Sequence, residues 1–294
     1  MKNPYFGRLL TAMVTPFNAD GSVNYEKAAD LAEWLINNGS DGLVVAGSTG
    51  EAATMSAEEK LELFRVVVNR INKRVPIIAG TGSNNTADSV KMTKMAEAMG
   101  VDGALIVGPY YNKPTQEGFY QHFAAVAQST GLPIIVYNVP GRTASNISPA
   151  IVARLAADFE NIVAIKEAAG NVAQVAELYS VLPEEFTIYS GDDGLILPFM
   201  SVGATGLISV LSNIGGGIMQ AYEDGRVREA AKLNARMVPL ANAMFIETNP
   251  IPVKAAVTLV TGIDAGQPRL PLTPMEPANK AKMVAVLQEY GLVK

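Results

Sequence analysis

Lys166 closes an apolar run, Ile162-Val163-Ala164-Ile165, and is followed at once by Glu167. An amine held among apolar walls loses the hydration of its charged form, so its pKa falls. A neutral amine can attack a ketone and form an imine. The same position also suits a lysine that snorkels out to water, or one that pairs with Glu167 or Asp192. Tyr137 ends another apolar run. A phenol there could shuttle protons to a carbinolamine and to the imine carbons. As a core tyrosine it would only need its hydroxyl satisfied by backbone. Ser48 and Thr49 lie between Gly47 and Gly50. Their hydroxyls and backbone N–H groups could hold a carboxylate or pass a proton, or simply form a turn. Arg142 follows Pro140-Gly141, and its forked guanidinium suits a carboxylate, on a substrate or in a surface ion pair. An amine nucleophile, a phenolic acid/base and a carboxylate clamp together meet the needs of an imine-forming keto-acid lyase.

Other chemistries have fewer residues to draw on. The chain has no cysteine, which excludes disulfides, thiolate nucleophiles and cysteine metal sites. Its single histidine, His122, falls in an expected helix and is read as structural, and a multi-histidine metal site is impossible. The adjacent acids Asp192-Asp193 have no histidine nearby and are read as caps of the next helix. The net charge is −5, without a basic run, which sets nucleic acids aside. No apolar segment reaches the roughly 18 residues that span a bilayer. The first apolar run, 9–14, is too weak for a secretory signal. With 49% apolar and 17% charged residues the chain can bury a large core, and the absence of cysteine makes a cytoplasmic protein the simplest expectation.

These residues need a frame to bring them together. Eight short β-rich runs recur, at 9–14, 42–46, 76–79, 103–107, 133–137, 162–166, 186–189 and 206–209. Several are apolar on both faces, as buried parallel strands are. Helical period fills the gaps. Ala28, Leu31, Ala32 and Leu35 fall on one stripe, as do Met92, Met95, Ala96 and Met99, with Gly100 as a helix C′ residue. Ser56 and Glu59 form a capping box ahead of Leu61, Phe64 and Val68. Eight such units in a chain of 294 residues point to an α/β protein, a (β/α)8 TIM barrel. The rival is an open doubly wound sheet. Its glycine fingerprint is missing, since Gly80-Thr81-Gly82-Ser83-Asn84-Asn85 lacks the third glycine. We expect the barrel and its active site in residues 1–224, and a helical C-terminal extension, broken by Pro250, Pro252, Pro268 and Pro271, in residues 225–294. In such a barrel the chemistry sits at the C-terminal strand ends, where Ser48, Tyr137, Arg142 and Lys166 all fall.

The motifs resemble, nearly end to end, those of the dihydrodipicolinate synthase / N-acetylneuraminate lyase family. Gly47-Ser48-Thr49-Gly50-Glu51 matches its G-[ST]-T-G-E loop. The stretch from Tyr137 to Thr143 matches Y-N-x-P-G-R-T, ahead of the strand ending in Lys166-Glu167. The segments 109–114 and 249–254 look like the synthase branch. The resemblance implies that Lys166 forms a Schiff base with pyruvate and that Tyr137 donates and accepts protons. It makes Ser48 and Tyr111 the other members of a proton relay, Tyr111 reaching a neighbouring subunit's site. Position 48 is Ser where Thr is frequent; the hydroxyl survives. It assigns Thr49 to the pyruvate carboxylate, Ile208 to the pyruvate site, Gly191 to a carbonyl near the lysine, and Arg142 to the carboxylate of L-aspartate 4-semialdehyde. The implied reaction is aldol addition of the pyruvate enamine to that semialdehyde, in diaminopimelate and lysine synthesis. No metal or organic cofactor is implied, and the implied assembly is a homotetramer of two tight dimers.

The same resemblance places an allosteric lysine site at the tight dimer interface. The matching positions are Ala52, Ala53, Ala57, Lys60, Asn84, Asp88 and Tyr110. A cation at Lys60 would repel an effector's ammonium, and Asp88 reaches less far than the glutamate of lysine-sensitive members. Weak or absent lysine inhibition is therefore expected. Two other functions remain open. One is a sister pyruvate-dependent aldolase acting on N-acetylneuraminate or a 2-keto-3-deoxy acid, against which Arg142 argues by its preference for a small acid aldehyde. The other is a non-catalytic keto-acid-binding barrel, against which the complete set of reactive residues argues.

Overall fold

The computed structural model describes residues 4–215 and 227–294. Eight parallel strands close into a barrel in chain order. They are β1 (Leu9–Ala12), β2 (Gly42–Val45), β3 (Ile77–Gly80), β4 (Gly103–Val107), β5 (Ile134–Asn138), β6 (Ile162–Glu167), β7 (Thr187–Ser190) and β8 (Gly206–Ser209). β8 pairs back onto β1. Every expected run is a strand. Their ends agree to within a residue or two.

Alternation sorts the strand side chains into two layers. Val44, Ile78, Leu105, Ile135 and Ala164 fill the barrel interior with Leu10, Tyr189 and Ile208. Their neighbours Leu43, Val45, Ile77, Ala79, Ile134, Val136 and Ile165 pack outward beneath the helices. Both faces are buried, so the runs read as continuous apolar segments. Tyr137 shares the parity of Ile135, and Lys166 that of Ala164, so both face inward. The register sets Tyr137 beside Lys166 across β5 and β6.

The outer layer is α1 (Tyr25–Asn37), α2 (Ala57–Ile71), α3 (Thr86–Ala98), α4 (Gln116–Ala127), the single turn α5 (Pro140–Thr143), α6 (Pro149–Asp158), α7 (Val172–Val181) and α8 (Ile196–Ser201). In α1 the buried stripe contains Ala28, Leu31, Ala32 and Leu35, as expected. Ser56 caps α2, and the Glu59 carboxylate accepts from the Ser56 N–H, completing the capping box. The buried face of α2 is Leu63, Phe64, Val67 and Ile71. Leu61 and Val68 flank it, only partly buried.

α3 corrects the sequence reading. Its buried stripe is Ser89, Thr93 and Ala96, while Met92, Met95 and Met99 are half-buried. Thr93 fits there because its hydroxyl shares a 2.7 Å bond with Thr81 Oγ1 and reaches the Ser89 carbonyl at 2.7 Å. A satisfied polar group is tolerated in a core, so apolar period alone misplaces this face. Gly100 takes the expected left-handed backbone after the helix, with φ +84°.

A 3-10 turn (Leu211–Ile214) follows β8. The expected helical extension consists of α9 (Val227–Ala243), α10 (Ile251–Thr261) and α11 (Pro277–Glu289). α10 packs on the turn after β8, α9 packs on α8, and α11 contacts both α9 and α10. The division expected between residues 224 and 225 lies outside the described residues. Among the described residues, no helix is long and apolar enough to cross a membrane.

Candidate active site

Lys166 ends up inside the barrel mouth, 5% exposed. Its Nζ lies 4.5 Å from the centre of the Tyr137 ring. Burial pulls its pKa down to about 8, against the attraction of the Asp193 carboxylate and with help from the Arg142 cation. The snorkelling reading is therefore overturned, and so is pairing with Glu167 or Asp192. Glu167 follows Lys166 on the strand and so points out of the barrel, where Asn138 Nδ2 (2.9 Å), Gln174 Nε2 (2.9 Å) and the Ala169 N–H (2.7 Å) hold it.

Burial pushes the Tyr137 phenol up to about 12, opposed by Arg142 and by a hydrogen bond with the Ser48 hydroxyl. The phenol therefore keeps its proton at neutral pH and can give it. Ser48 stands on the turn after β2, which closes with Glu51 N–H to the Ser48 carbonyl at 3.1 Å. The turn sits against the end of β3, where Gly80 permits the contact. A Cβ there would lie 2.2 Å from the Ala46 carbonyl oxygen.

A cavity of about 440 Å³ opens above this group, and Ser48, Tyr137, Arg142 and Asn249 help line it. Arg142 sits on α5, and its Nη2 donates to the Asn249 carbonyl at 3.0 Å. Thr49 is buried, its Oγ1 accepting from Asn249 Nδ2 at 3.0 Å. Ile208 is buried in the barrel interior. Gly191 lies against the lysine stem, for a Cβ there would meet Lys166 Cε at 3.0 Å. Of the eight expected site residues, Ser48, Thr49, Arg142 and Gly191 thus gather with Lys166 and Tyr137 around the barrel mouth, and Ile208 lies in the interior.

Tyr111 stands apart. It is 89% exposed, with a left-handed backbone at φ +72°. Of the expected allosteric set, Ala53 and Tyr110 line the same cavity, with Lys60. Asn84 Nδ2 donates to the Tyr110 carbonyl at 3.2 Å, whereas Asp88 is exposed in the first turn of α3. His122 is buried, its Nδ1 3.0 Å from Thr86 Oγ1, and burial pulls its pKa down to about 4. It joins α3 to α4, a structural place.

The acidic pair is also reassigned. Neither Asp192 nor Asp193 caps α8, which has no side-chain cap. Asp193 is buried and accepts from Ser209 Oγ at 2.5 Å and from the N–H groups of Val210 (3.0 Å) and Leu211 (3.1 Å). It holds the turn after β8 and supplies negative charge toward Lys166. Asn249 and the Glu51–Lys254 pair were likewise missed as site residues. Their partners lie about 200 residues away, and a single sequence carries no signal for that pairing.

The family model described as the dihydrodipicolinate synthetase family matches residues 5–290. The chain is 48% identical to the 4-hydroxy-tetrahydrodipicolinate synthase of Bacillus subtilis strain 168, over 97% of this chain and 99% of that one. Among solved structures, dihydrodipicolinate synthase DapA-2 from Bacillus anthracis matches with a TM-score of 0.94 at 47% identity, covering 97% of this chain and 98% of that one. The Cyanidioschyzon merolae enzyme with lysine bound matches with a TM-score of 0.97 at 41% identity, covering 99% and 100%.

Proposed function

The chain belongs to the dihydrodipicolinate synthetase family, and from that premise we propose that it condenses pyruvate with L-aspartate 4-semialdehyde through an imine on Lys166. The observation that carries this reading is the buried Lys166 amine, its pKa drawn down to about 8, packed against a protonated Tyr137.

The neutral Lys166 amine adds to the pyruvate ketone. Tyr137 protonates the carbinolamine hydroxyl, which leaves as water. The Tyr137 phenolate left by that transfer takes a methyl proton to give the enamine, whose carbon attacks the semialdehyde's aldehyde, and Tyr137 returns the proton to the new alkoxide. The semialdehyde's own amine then displaces Lys166 and closes the ring, returning the free lysine. Ser48 passes protons from Tyr137 toward the cavity. Thr49, Gly191 and Ile208 seat pyruvate. Arg142 takes the second substrate's carboxylate in a charge-assisted clamp. The exposure of Tyr111 supports its service to a neighbouring subunit, and with it the homotetramer of two tight dimers. The chain's lack of cysteine supports a cytoplasmic place.

The test is pyruvate consumption by the purified protein, with L-aspartate 4-semialdehyde or N-acetylmannosamine as acceptor. Turnover with the semialdehyde alone is expected. Turnover with the sugar would move the activity to a sister lyase.

A further inference from the structure

Three parts of the C-terminal extension converge on the loop that carries Ser48 and Thr49. Asn249 Nδ2 donates to Thr49 Oγ1 at 3.0 Å. Lys254 Nζ pairs with Glu51 Oε1 at 2.6 Å, and both side chains are 1% exposed. The Arg269 N–H donates to Glu51 Oε2 at 2.8 Å. The Lys254 ammonium and the Arg269 guanidinium also lie 3.8 Å and 4.4 Å from the centre of the Phe17 ring. Every oxygen of the buried carboxylate is therefore held by the extension.

The loop needs such a hold. Glu51 keeps a left-handed backbone at φ +57°, which a residue with a Cβ adopts reluctantly. Its N–H bonds the Ser48 carbonyl, so the set of Glu51 passes directly to Ser48. A buried ion pair is poor evidence of stability, because desolvating two charges offsets their attraction and apolar residues of similar volume often serve as well. What the pair does supply is one arrangement in which both charges are satisfied.

We propose that the Glu51–Lys254 pair is the latch by which the C-terminal extension sets Ser48 and Thr49 against Tyr137, making both charged residues positioning residues for pyruvate capture. They act through the loop. Asn249, on the same stretch as Lys254, extends the arrangement to Arg142 through its carbonyl. The barrel and its extension thus share one active site, although every expected catalytic residue lies on the barrel.

The inference rests on the condensation proposed above, so imine formation by the unsubstituted protein is measured beside four variants. The first, Glu51→Met with Lys254→Met, replaces the pair by apolar chains of similar length. It is expected to melt near the parent, to raise the pyruvate KM and to slow borohydride trapping of the pyruvate imine by about tenfold. The second, Glu51→Gln, keeps the shape and an acceptor for the Arg269 N–H. It is expected to show the same signature at about threefold. Lys254→Arg, which keeps the charge, should retain more activity than Lys254→Met. Parent kinetics in the folded double variant would overturn the latch, and if that variant does not fold, parent kinetics in Glu51→Gln would do so alone. A parent that forms no imine would sink the condensation itself, and the latch with it.

Discussion

On the proposed mechanism Lys166 owes its reactivity to a destabilised charge. With its pKa drawn from 10.5 to about 8, a useful fraction of the amine is neutral near pH 7. Pyruvate imine formation should therefore rise through a midpoint near pH 8, measured by trapping rate against pH; a rate flat from pH 6 to about pH 10 would contradict the assignment. The same shift has a stability sign. Below pH 8 the charged amine is buried in full. Between the folded and unfolded values the folded state is neutral while the unfolded chain still holds its proton, so stability rises with pH across that window. Lys166→Met should consequently stabilise the fold at pH 7 by on the order of 3 kcal/mol while abolishing imine formation, and the gain should fade toward pH 10.5. Urea midpoints at pH 7 and above pH 10 test this. On the proposed reading Arg142→Ala should keep the pyruvate adduct yet raise the semialdehyde KM, since it removes the charge-assisted contact to the second substrate together with the bond to the Asn249 carbonyl. Lys166 and Tyr137 were legible because each ends a run whose parity decides its direction. Asp193 was not, because its partners Ser209, Val210 and Leu211 belong to another strand end.

At the scale of elements, strand ends and their glycines decide where the loops sit. Gly80→Ala would drive a methyl group into the Ala46 carbonyl, at the foot of the loop holding Ser48. It should destabilise the fold by about 1–3 kcal/mol and slow imine trapping, read from urea midpoints and trapping rates on one preparation; a stable, fully active variant would show that the loop does not depend on this approach. The eight strands were legible because each carries a short β-rich run, several apolar on both faces. The buried face of α3 was not, because Thr93 turns inward through a hydroxyl pair with Thr81 that hydrophobic period does not register. The segment 249–254 matches a family motif, but the hold of Asn249 on Thr49 and of Lys254 on Glu51 appears only once the chain has folded back across the barrel mouth.

For the whole molecule, one cavity runs from Tyr137 and Arg142 to Lys60 and Tyr110. Lys60 brings a cation to its wall, and burial already pulls that ammonium's pKa down. A second ammonium there would meet repulsion. A lysine titration should therefore leave activity largely intact at sub-millimolar concentration, and half-inhibition in that range would contradict this. Barrel closure was legible from eight repeating units. The joining of barrel and extension into one site was not, since it rests on contacts between residues about 200 apart. The measurement that bears most directly on the whole account is borohydride reduction of the intact protein with pyruvate, followed by peptide mass analysis. The account predicts one reduced pyruvate per chain, carried on Lys166 and lost in Lys166→Ala. Pyruvate consumed with no adduct, or an adduct on another lysine, would contradict it.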